Sequence, residues 1–264
     1  MSATPTQPVE GLAVAVLDRA EPALAGAERA PALAVVSSRP AAAGSARASA
    51  LRATVVRGIR RGFDFLVAAV LLLLASPLLI AIAIAIRIDS QGPVFFRQRR
   101  VGRGRREFTI FKFRTMRHDA DATRHRKYVQ TLIGGNSEAE RGRLYKLSVD
   151  DRVTRVGRVL RSWSLDELPQ LVNVLRGEMA LVGPRPVIPY EVERYPEPYL
   201  RRFAVKPGLT GLWQISGRNE RTYDEMVRFD IEYARRASQP GALLLDLRIL
   251  ARTVPVVLGR QGVA

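Results

Sequence analysis

The stretch FLVAAVLLLLASPLLIAIAIAI, from Phe65 to Ile86, contains 22 residues and no charge. As a helix it would be about 33 Å long, which is enough to cross a hydrocarbon core of about 30 Å. Apolar runs of this length rarely belong to the interior of a soluble protein. The stretch therefore predicts a helix embedded in a membrane.

Ser76 and Pro77 lie at the midpoint of this stretch. The proline ring removes one backbone hydrogen bond, and the serine hydroxyl can satisfy the freed carbonyl, so a sharp bend is expected. Both flanks are basic, and such residues favour the cytoplasmic side of a membrane: Arg57, Arg60, Arg61, Arg97, Arg99, Arg100, Arg103, Arg105 and Arg106. A broken helix, with two arms of roughly 16 Å, brings both flanks to that side. We predict a re-entrant helix-break-helix hairpin over residues 52–89, with a straight span and a buried soluble helix as alternatives.

The composition is strongly basic, with a formal net charge of +17. This excess indicates a polyanionic partner, which could be nucleic acid, a nucleotide phosphate or anionic lipid headgroups. The absence of cysteine excludes disulfides and thiolate catalysis. Residues 1–51 are rich in Ala, Pro and Ser without sustained periodicity, so they are predicted to be a disordered tail.

Residues 90–264 are predicted to form one compact α+β domain associated with the membrane. VFF from Val94 and FTIFKF from Phe108 have the alternation of strands, and GRGRR between them is typical of a tight turn. TYDEMVRFDIEYARRA, residues 222–237, has amphipathic helical spacing. The apolar and charged residues of LLLDLRILARTVPVVLG, residues 243–259, suit a helix lying on a membrane surface.

Two adjacent carboxylates, Asp166 and Glu167, lie in the segment SLDELPQLVNVL. Ser164 and Glu167 fit a capping box, but Pro169 would then fall where a backbone donor is required. A helix that starts at Asp166 places Pro169 in the donor-free first turn, where acids also favour the helix dipole. Capping and a functional role both remain open on this pattern alone.

The surroundings of the pair favour a functional role. Arg155, Arg158 and Arg161 precede it, and the prolines of GPRP hold Arg185 in an extended conformation. Fixed guanidinium groups near carboxylates indicate a third anion, most simply phosphate. A carboxylate can face phosphate when a divalent cation lies between them, and Mg²⁺ is bound in this way by one or two carboxylates plus phosphate oxygens. The pattern predicts phosphoryl transfer beside a membrane.

From about Arg57 to the C-terminus the chain resembles the bacterial sugar transferase family, the monotopic polyprenyl-phosphate phosphoglycosyl transferases. The resemblance rests on the apolar segment with Ser76-Pro77, FKFRTM from Phe111, LDELPQL from Leu165, LVGPRP from Leu181 and KPGLTGLWQISGR from Lys206. The last motif and DLRIL near the end resemble the branch that transfers hexose 1-phosphate to undecaprenyl phosphate.

The resemblance implies an enzyme of the bacterial inner membrane, with its catalytic domain on the cytoplasmic side. It would use a UDP-sugar, undecaprenyl phosphate and Mg²⁺, and would release UMP in the first membrane step of exopolysaccharide, capsule or glycan assembly. A homo-oligomer is one option for its assembly state. The competing hypothesis is a non-enzymatic, membrane-anchored nucleic-acid-binding protein, which leaves the carboxylate pair unexplained and lacks a recognisable nucleic-acid module.

The resemblance also implies roles for individual residues. Asp166 would be the nucleophile that forms a covalent aspartyl phospho-sugar, and Glu167 would help Asp166 to hold Mg²⁺. The expected phosphate ligands are Lys112, Arg114, Arg161 and Arg185. For Lys112 and Arg114 the alternative is a solvated position near anionic lipid. Trp213 and Arg218 are expected at the nucleotide or sugar end, with a core position as the alternative for Trp213.

Overall fold

The structure is a computed structural model that describes residues 41–117, 152–217 and 222–259, with side chains from residue 54 onward. Its first element is the long helix α1, Ala41–Asp89. This helix includes residues 41–51, which the sequence predicted to be disordered; their Ala-rich composition explains the difference, because Ala has the highest helix propensity. Helix α1 contains the part of the described chain that is long and apolar enough to cross a membrane, Thr54–Asp89.

Helix α1 continues through Ser76 and Pro77, so the predicted break is not an interruption of the secondary structure. Pro77 leaves the carbonyl of Leu73 without its usual amide donor. The Ser76 hydroxyl donates to that same carbonyl at 2.7 Å. This repair explains how the helix passes the proline, and the re-entrant hairpin is not confirmed by the secondary structure.

The predicted strand pair follows α1. Strand β1, Phe95–Val101, pairs antiparallel with β2, Glu107–Phe113, and Phe96 lies opposite Lys112. The basic turn between them is a short 3-10 helix, Arg103–Arg105, in which Gly104 and Arg105 have left-handed backbone angles. The alternation of FTIFKF and the Gly-rich turn therefore predicted this ribbon correctly.

The rest of the domain consists of short helices around a small parallel sheet. Strand β3, Ala180–Val182, pairs with β4, Gly208–Thr210. The α-helices in chain order are α2, Arg155–Ser162; α3, Leu171–Arg176; α4, Pro189–Val192; α5, Tyr223–Arg236; and α6, Ala242–Leu258. Two further 3-10 helices span Leu165–Gln170 and Glu197–Ala204. The structure confirms the α+β class and the two predicted helices near the C-terminus.

The hydrophobic core is built around α3, β3 and α5, and α1 packs against it. Met226, Phe229 and Tyr233 of α5 are buried, as their spacing predicted. Ala68 of α1 belongs to this main cluster. Further along α1, Ile82 and Ile86 pack in a second cluster with residues of β2 and α2.

The two ends of the apolar part of α1 are both fixed to this domain. At its beginning, Asp64 accepts a hydrogen bond from the backbone N–H of Leu181 at 3.2 Å. At its end, Asp89 accepts one from the backbone N–H of Val156 at 3.0 Å. Between these anchors Leu73 and Leu74 are 73% and 72% exposed. One side of the middle of the apolar stretch is therefore exposed, while its other side packs through Leu72 and Leu79 and both of its ends are held.

Candidate active site

The carboxylate pair is placed by an unusual turn. Helix α2 ends at Ser162, and Ser164 has a left-handed φ of 54° before the 3-10 helix that carries Asp166 and Glu167. A non-glycine residue in this region is strained and is most often found at functional sites. Ser164 makes no side-chain cap bond, so the capping-box interpretation is wrong.

Glu167 is directed to strand β2 instead. Its Oε1 accepts a hydrogen bond from Lys112 Nζ at 2.7 Å, and the side chains are 29% and 16% exposed. Lys112 stands on the strand while Glu167 stands on the 3-10 helix, so this ion pair joins two elements distant in sequence. Because a partly buried pair is poorly screened by water, it holds the carboxylate pair in a defined position.

Asp166 carries the less compensated of the two charges. Burial raises the pKa of Asp166 to about 6; the neighbouring Glu167 raises it further, while Lys112 and Arg161 oppose the rise. At neutral pH the carboxylate is mostly ionised but poorly solvated, which makes it a better nucleophile than an exposed aspartate. The structure thus brings the predicted nucleophile beside two of the predicted cations.

A cleft opens beside this pair and contains Lys112, Glu167 and Arg185. The remaining lining residues come from both strand pairs, from the loops next to them and from the 3-10 helix that carries Glu167: Arg100, Ile110, Gln170, Pro186, Gly208, Leu209 and Gln214. Three of the predicted site residues therefore line one cleft. Arg161 lies next to it, where its Nε donates to the Thr115 hydroxyl at 3.0 Å and its charge acts on Asp166.

The structure places Arg114 elsewhere. Its guanidinium is buried at the C-terminal end of α1, where it donates to the carbonyls of Gln91 and Ser90 at 2.6 and 2.7 Å and to the Ser90 hydroxyl at 2.9 Å. Alternation alone would place residues 112 and 114 on the same face of a strand. Strand β2 ends at Phe113, however, and the bonds of the Arg114 guanidinium to Gln91 and Ser90 hold it away from the cleft. The predicted phosphate contact of Arg114 is corrected to a structural role at the end of the membrane helix.

Trp213 takes the alternative position that the sequence left open. It is 3% exposed and belongs to the main hydrophobic cluster. Its indole N–H is buried and has no hydrogen-bond partner within the described part of the chain. Arg218 lies outside the described residues.

The sequence missed three polar residues of the cleft, namely Arg100, Gln170 and Gln214. Arg100 was interpreted as part of the basic flank of the membrane segment. Its strand position could have shown more, because residues directly opposite each other in an antiparallel pair share a face. Phe96 opposes Lys112, so Arg100, four residues along the strand, lies on the face of Lys112.

The side chains at the cleft can be compared with the ligands that the predicted Mg²⁺ would need. Within residues 41–117, 152–217 and 222–259 no cluster of three or more acidic or histidine side chains could hold a metal ion. Asp166 and Glu167 offer two adjacent carboxylates, which suits an ion that takes its other ligands from substrate phosphate and water. The residues present therefore fit Mg²⁺ bound together with a phosphate-bearing substrate.

Fold and cleft together define an α+β domain on an apolar helix, with a site suited to a phosphate-bearing substrate. The sequence model of the family described as bacterial sugar transferase matches residues 55–260. The chain belongs to this family. It is therefore a transferase, and the hypothesis of a non-enzymatic nucleic-acid-binding protein is wrong.

Three relatives illustrate the similarity. The chain is 43% identical over 203 residues to the exopolysaccharide production protein ExoY of Rhizobium meliloti, covering 77% of this chain and 87% of that protein. It is 41% identical over 208 residues to the undecaprenyl-phosphate galactose phosphotransferase of Salmonella typhimurium, covering 78% and 42%. It is 43% identical over 208 residues to the UDP-glucose:undecaprenyl-phosphate glucose-1-phosphate transferase of Caulobacter vibrioides, covering 75% and 69%.

Proposed function

We propose that the protein transfers a hexose 1-phosphate from a UDP-sugar to undecaprenyl phosphate. The observation that carries the proposal is the pair Asp166-Glu167. Glu167 is fixed by Lys112 and lines a cleft together with Arg185, and Asp166 is the residue next to it in sequence. The names of two relatives support the donor and acceptor classes, since they describe transfer of galactose and of glucose 1-phosphate to undecaprenyl phosphate. The name of a third supports a place in exopolysaccharide production.

In the proposed reaction an Asp166 carboxylate oxygen attacks the phosphorus that bears the sugar. The bond from this phosphorus to the bridging oxygen breaks, and UMP leaves with the bond's electron pair. A phosphate oxygen of undecaprenyl phosphate then attacks the same phosphorus and displaces Asp166. The products are undecaprenyl diphospho-sugar and the free enzyme, so donor and acceptor need not occupy the cleft together.

The surrounding charges support this division of roles. The ion pair with Lys112 largely neutralises Glu167, which leaves that side chain suited to hold and orient. Asp166 keeps a raised pKa because its burial outweighs the nearby cations, which leaves it suited to attack. Arg161 and Arg185 would bind phosphate oxygens through their planar arrays of donors.

Mg²⁺ would be held by Asp166 and Glu167 together with phosphate oxygens. When bound it supplies positive charge that offsets the repulsion between carboxylate and phosphate and stabilises the departing phosphate. The protein's own contribution is to hold both carboxylates in place, through the Ser164 turn on one side and Lys112 on the other.

We also propose that α1 is re-entrant, so that both ends of its apolar part lie on the same side of the membrane. The domain would lie on that side, which is the cytoplasmic side of the inner membrane. Asp64 and Asp89 both bind backbone amides of one domain. In a straight helix these residues would be about 37 Å apart, on opposite sides of a hydrocarbon core of about 30 Å. A bend at Pro77 satisfies both anchors, since sharp helix kinks occur at proline.

The topology is testable because the chain has no cysteine. Single cysteines introduced at Thr54 and Ser90 should both react with an impermeant thiol reagent in inside-out vesicles, and neither should react in right-side-out vesicles. A cysteine at Leu74, in the lipid, should resist the reagent in both. If the cysteine at Thr54 reacted in one kind of vesicle and the cysteine at Ser90 in the other, α1 would span the membrane as a straight helix.

The enzymatic proposal is tested by release of UMP from a panel of UDP-hexoses with detergent-solubilised protein, undecaprenyl phosphate and Mg²⁺. We expect one preferred donor, no release after chelation, and no release by Asp166→Asn. Glu107→Gln, which removes an exposed carboxylate paired with Arg99, is the matched control and should keep full activity. Equal release by the wild type and Asp166→Asn would refute the nucleophile assignment.

A further inference from the structure

The loop that carries Arg185 is held along its whole length. Its four consecutive carbonyls, from Pro184 to Val187, each accept a hydrogen bond, and the donors come from three separate parts of the chain. The donors, in order, are the backbone N–H of Gly208 at 2.9 Å, the Arg202 guanidinium at 3.0 Å, the Arg100 guanidinium at 3.0 Å and the backbone N–H of Val101 at 2.8 Å. Because four consecutive carbonyls are bonded, the backbone from which the Arg185 side chain projects is held in one position relative to the core.

The donor to the Arg185 carbonyl is an unusual residue. Arg202 is 1% exposed, and its guanidinium forms a buried ion pair with Asp230 of α5, which is fully buried. The other terminal nitrogen of Arg202 donates to the Tyr195 hydroxyl at 2.9 Å. Burying an arginine is costly unless its charge is neutralised. Asp230 supplies the opposite charge, and both terminal nitrogens of Arg202 are hydrogen-bonded, whereas its Nε has no partner within the described residues.

Asp230 acts on Arg185 as well as on Arg202. Burial raises the pKa of Asp230, and the opposing influences are the charge of Arg202, the charge of Arg185 and the backbone N–H of Arg185. Arg185 is thus approached from two sides, at its carbonyl by Arg202 and at its amide and guanidinium by Asp230. Neither Arg202 nor Asp230 lines the cleft.

We propose that Arg202, neutralised by Asp230, is a positioning residue that holds Arg185 in place for the phosphate groups of the substrate. This inference rests on the proposed function. Arg202 touches no substrate in this arrangement; it fixes the backbone from which Arg185 projects. The ion pair of Arg202 and Asp230 makes the loop rigid. The backbone of Arg185 is therefore ordered before the substrate binds, which lowers the entropy cost of binding.

Two conservative variants remove this positioning while keeping the residues' size. Arg202→Lys keeps the positive charge but cannot place donors at the separate positions of the two terminal nitrogens. Asp230→Asn leaves Arg202 without its counter-charge. In each variant we expect the dissociation constant of UDP, measured by calorimetry with Mg²⁺ on the full-length protein in detergent, to rise about ten-fold, or ~1.4 kcal/mol. Hydrogen exchange in residues 183–187 should become faster.

The control for a merely structural effect is Asp246→Asn. Asp246 forms a comparable part-buried ion pair with Arg60 at 2.7 Å and reaches the start of the loop only indirectly, through the Tyr233 hydroxyl that also donates to the Val182 carbonyl. This variant should lower the melting temperature without changing UDP affinity. The decisive comparison uses Arg185→Ala as background: without the side chain that is positioned, Arg202→Lys should cause no further loss of UDP affinity, because the two changes act through one interaction.

Several results would overturn the inference. If Arg202→Lys changed neither the UDP affinity nor the rate of hydrogen exchange in residues 183–187, or only one of the two, the ion pair of Arg202 and Asp230 would support only the fold. The same conclusion would follow from an equal loss of affinity with and without the Arg185 side chain. If wild-type protein bound no UDP and released no UMP, the proposed function would fall instead, and loop exchange alone would still decide whether Arg202 fixes the loop.

Discussion

Replacing Asp166 by Asn should stabilise the protein while abolishing transfer. Burial raises the pKa of Asp166 from 3.8 to about 6, and each pKa unit corresponds to ~1.4 kcal/mol. The charged side chain therefore destabilises the fold by at most ~3 kcal/mol near pH 7.5. Because Asp166 is only half-buried by its solvent exposure, screening reduces this, and we expect a gain of about 1–2 kcal/mol.

The pH dependence gives the sign of this effect. The folded-state pKa of Asp166 lies above the unfolded value, so the penalty is fully present above about pH 6. It disappears as the pH falls from about 6 to about 4, where the carboxyl is neutral in both states. The advantage of Asp166→Asn should therefore be large near pH 7.5 and lost near pH 4.

Thermal unfolding in detergent, with chelator present, measures this advantage. For a chain of this size we expect the melting temperature to rise by about 2–8 °C near pH 7.5. Glu107→Gln, at an exposed ion pair, should change it by much less. A variant no more stable than wild type, or equally stabilised at both pH values, would refute the assignment of a buried, poorly compensated charge to Asp166.

Three further predictions concern the cleft and its supports. The rate of UMP release should fall at acid pH as Asp166 becomes protonated, and Lys112→Met should move this fall to higher pH, because the charge of Lys112 lowers the pKa of Asp166; an unchanged pH profile would assign the fall to another group. Gly208→Ala should cost about 3 kcal/mol or more in denaturant unfolding, since a Cβ there would lie 2.0 Å from the backbone nitrogen of Gly183. Arg114→Met should speed hydrogen exchange around Ser90 and leave UDP affinity unchanged, as expected for a residue that binds carbonyls at the end of α1; the reverse result would return Arg114 to the phosphate site.

The sequence predicted the elements whose signals are local. The β1–β2 ribbon follows from alternation and a Gly-rich turn, and α5 follows from the spacing of its buried residues. The site was predicted only in part, because its geometry depends on contacts between distant segments. The sequence around Ser164 contains no signal for its left-handed backbone. The partner of Glu167, Lys112, lies 55 residues away on β2.

The arginines show why composition alone could not separate binding residues from structural ones. Arg61 donates to the carbonyls of Val174 and Leu175 in the last turn of α3, Arg60 to that of Ala237 just after α5, and Arg114 to carbonyls just after α1. Positive charge at a helix C-terminus is stabilising, and a guanidinium offers enough donors to serve several carbonyls at once.

The net charge of +17 therefore overstates the surface available to anions. These three arginines are at least partly buried, and two of them, Arg60 and Arg61, directly precede the apolar stretch of α1. The interactions that hold the membrane helix on the domain are thus made by residues that the sequence analysis assigned to the basic flank on the cytoplasmic side. Among the described residues, cations that line the cleft, such as Arg185, and exposed cations, such as Arg99, are placed where substrate phosphates or the bilayer can reach them.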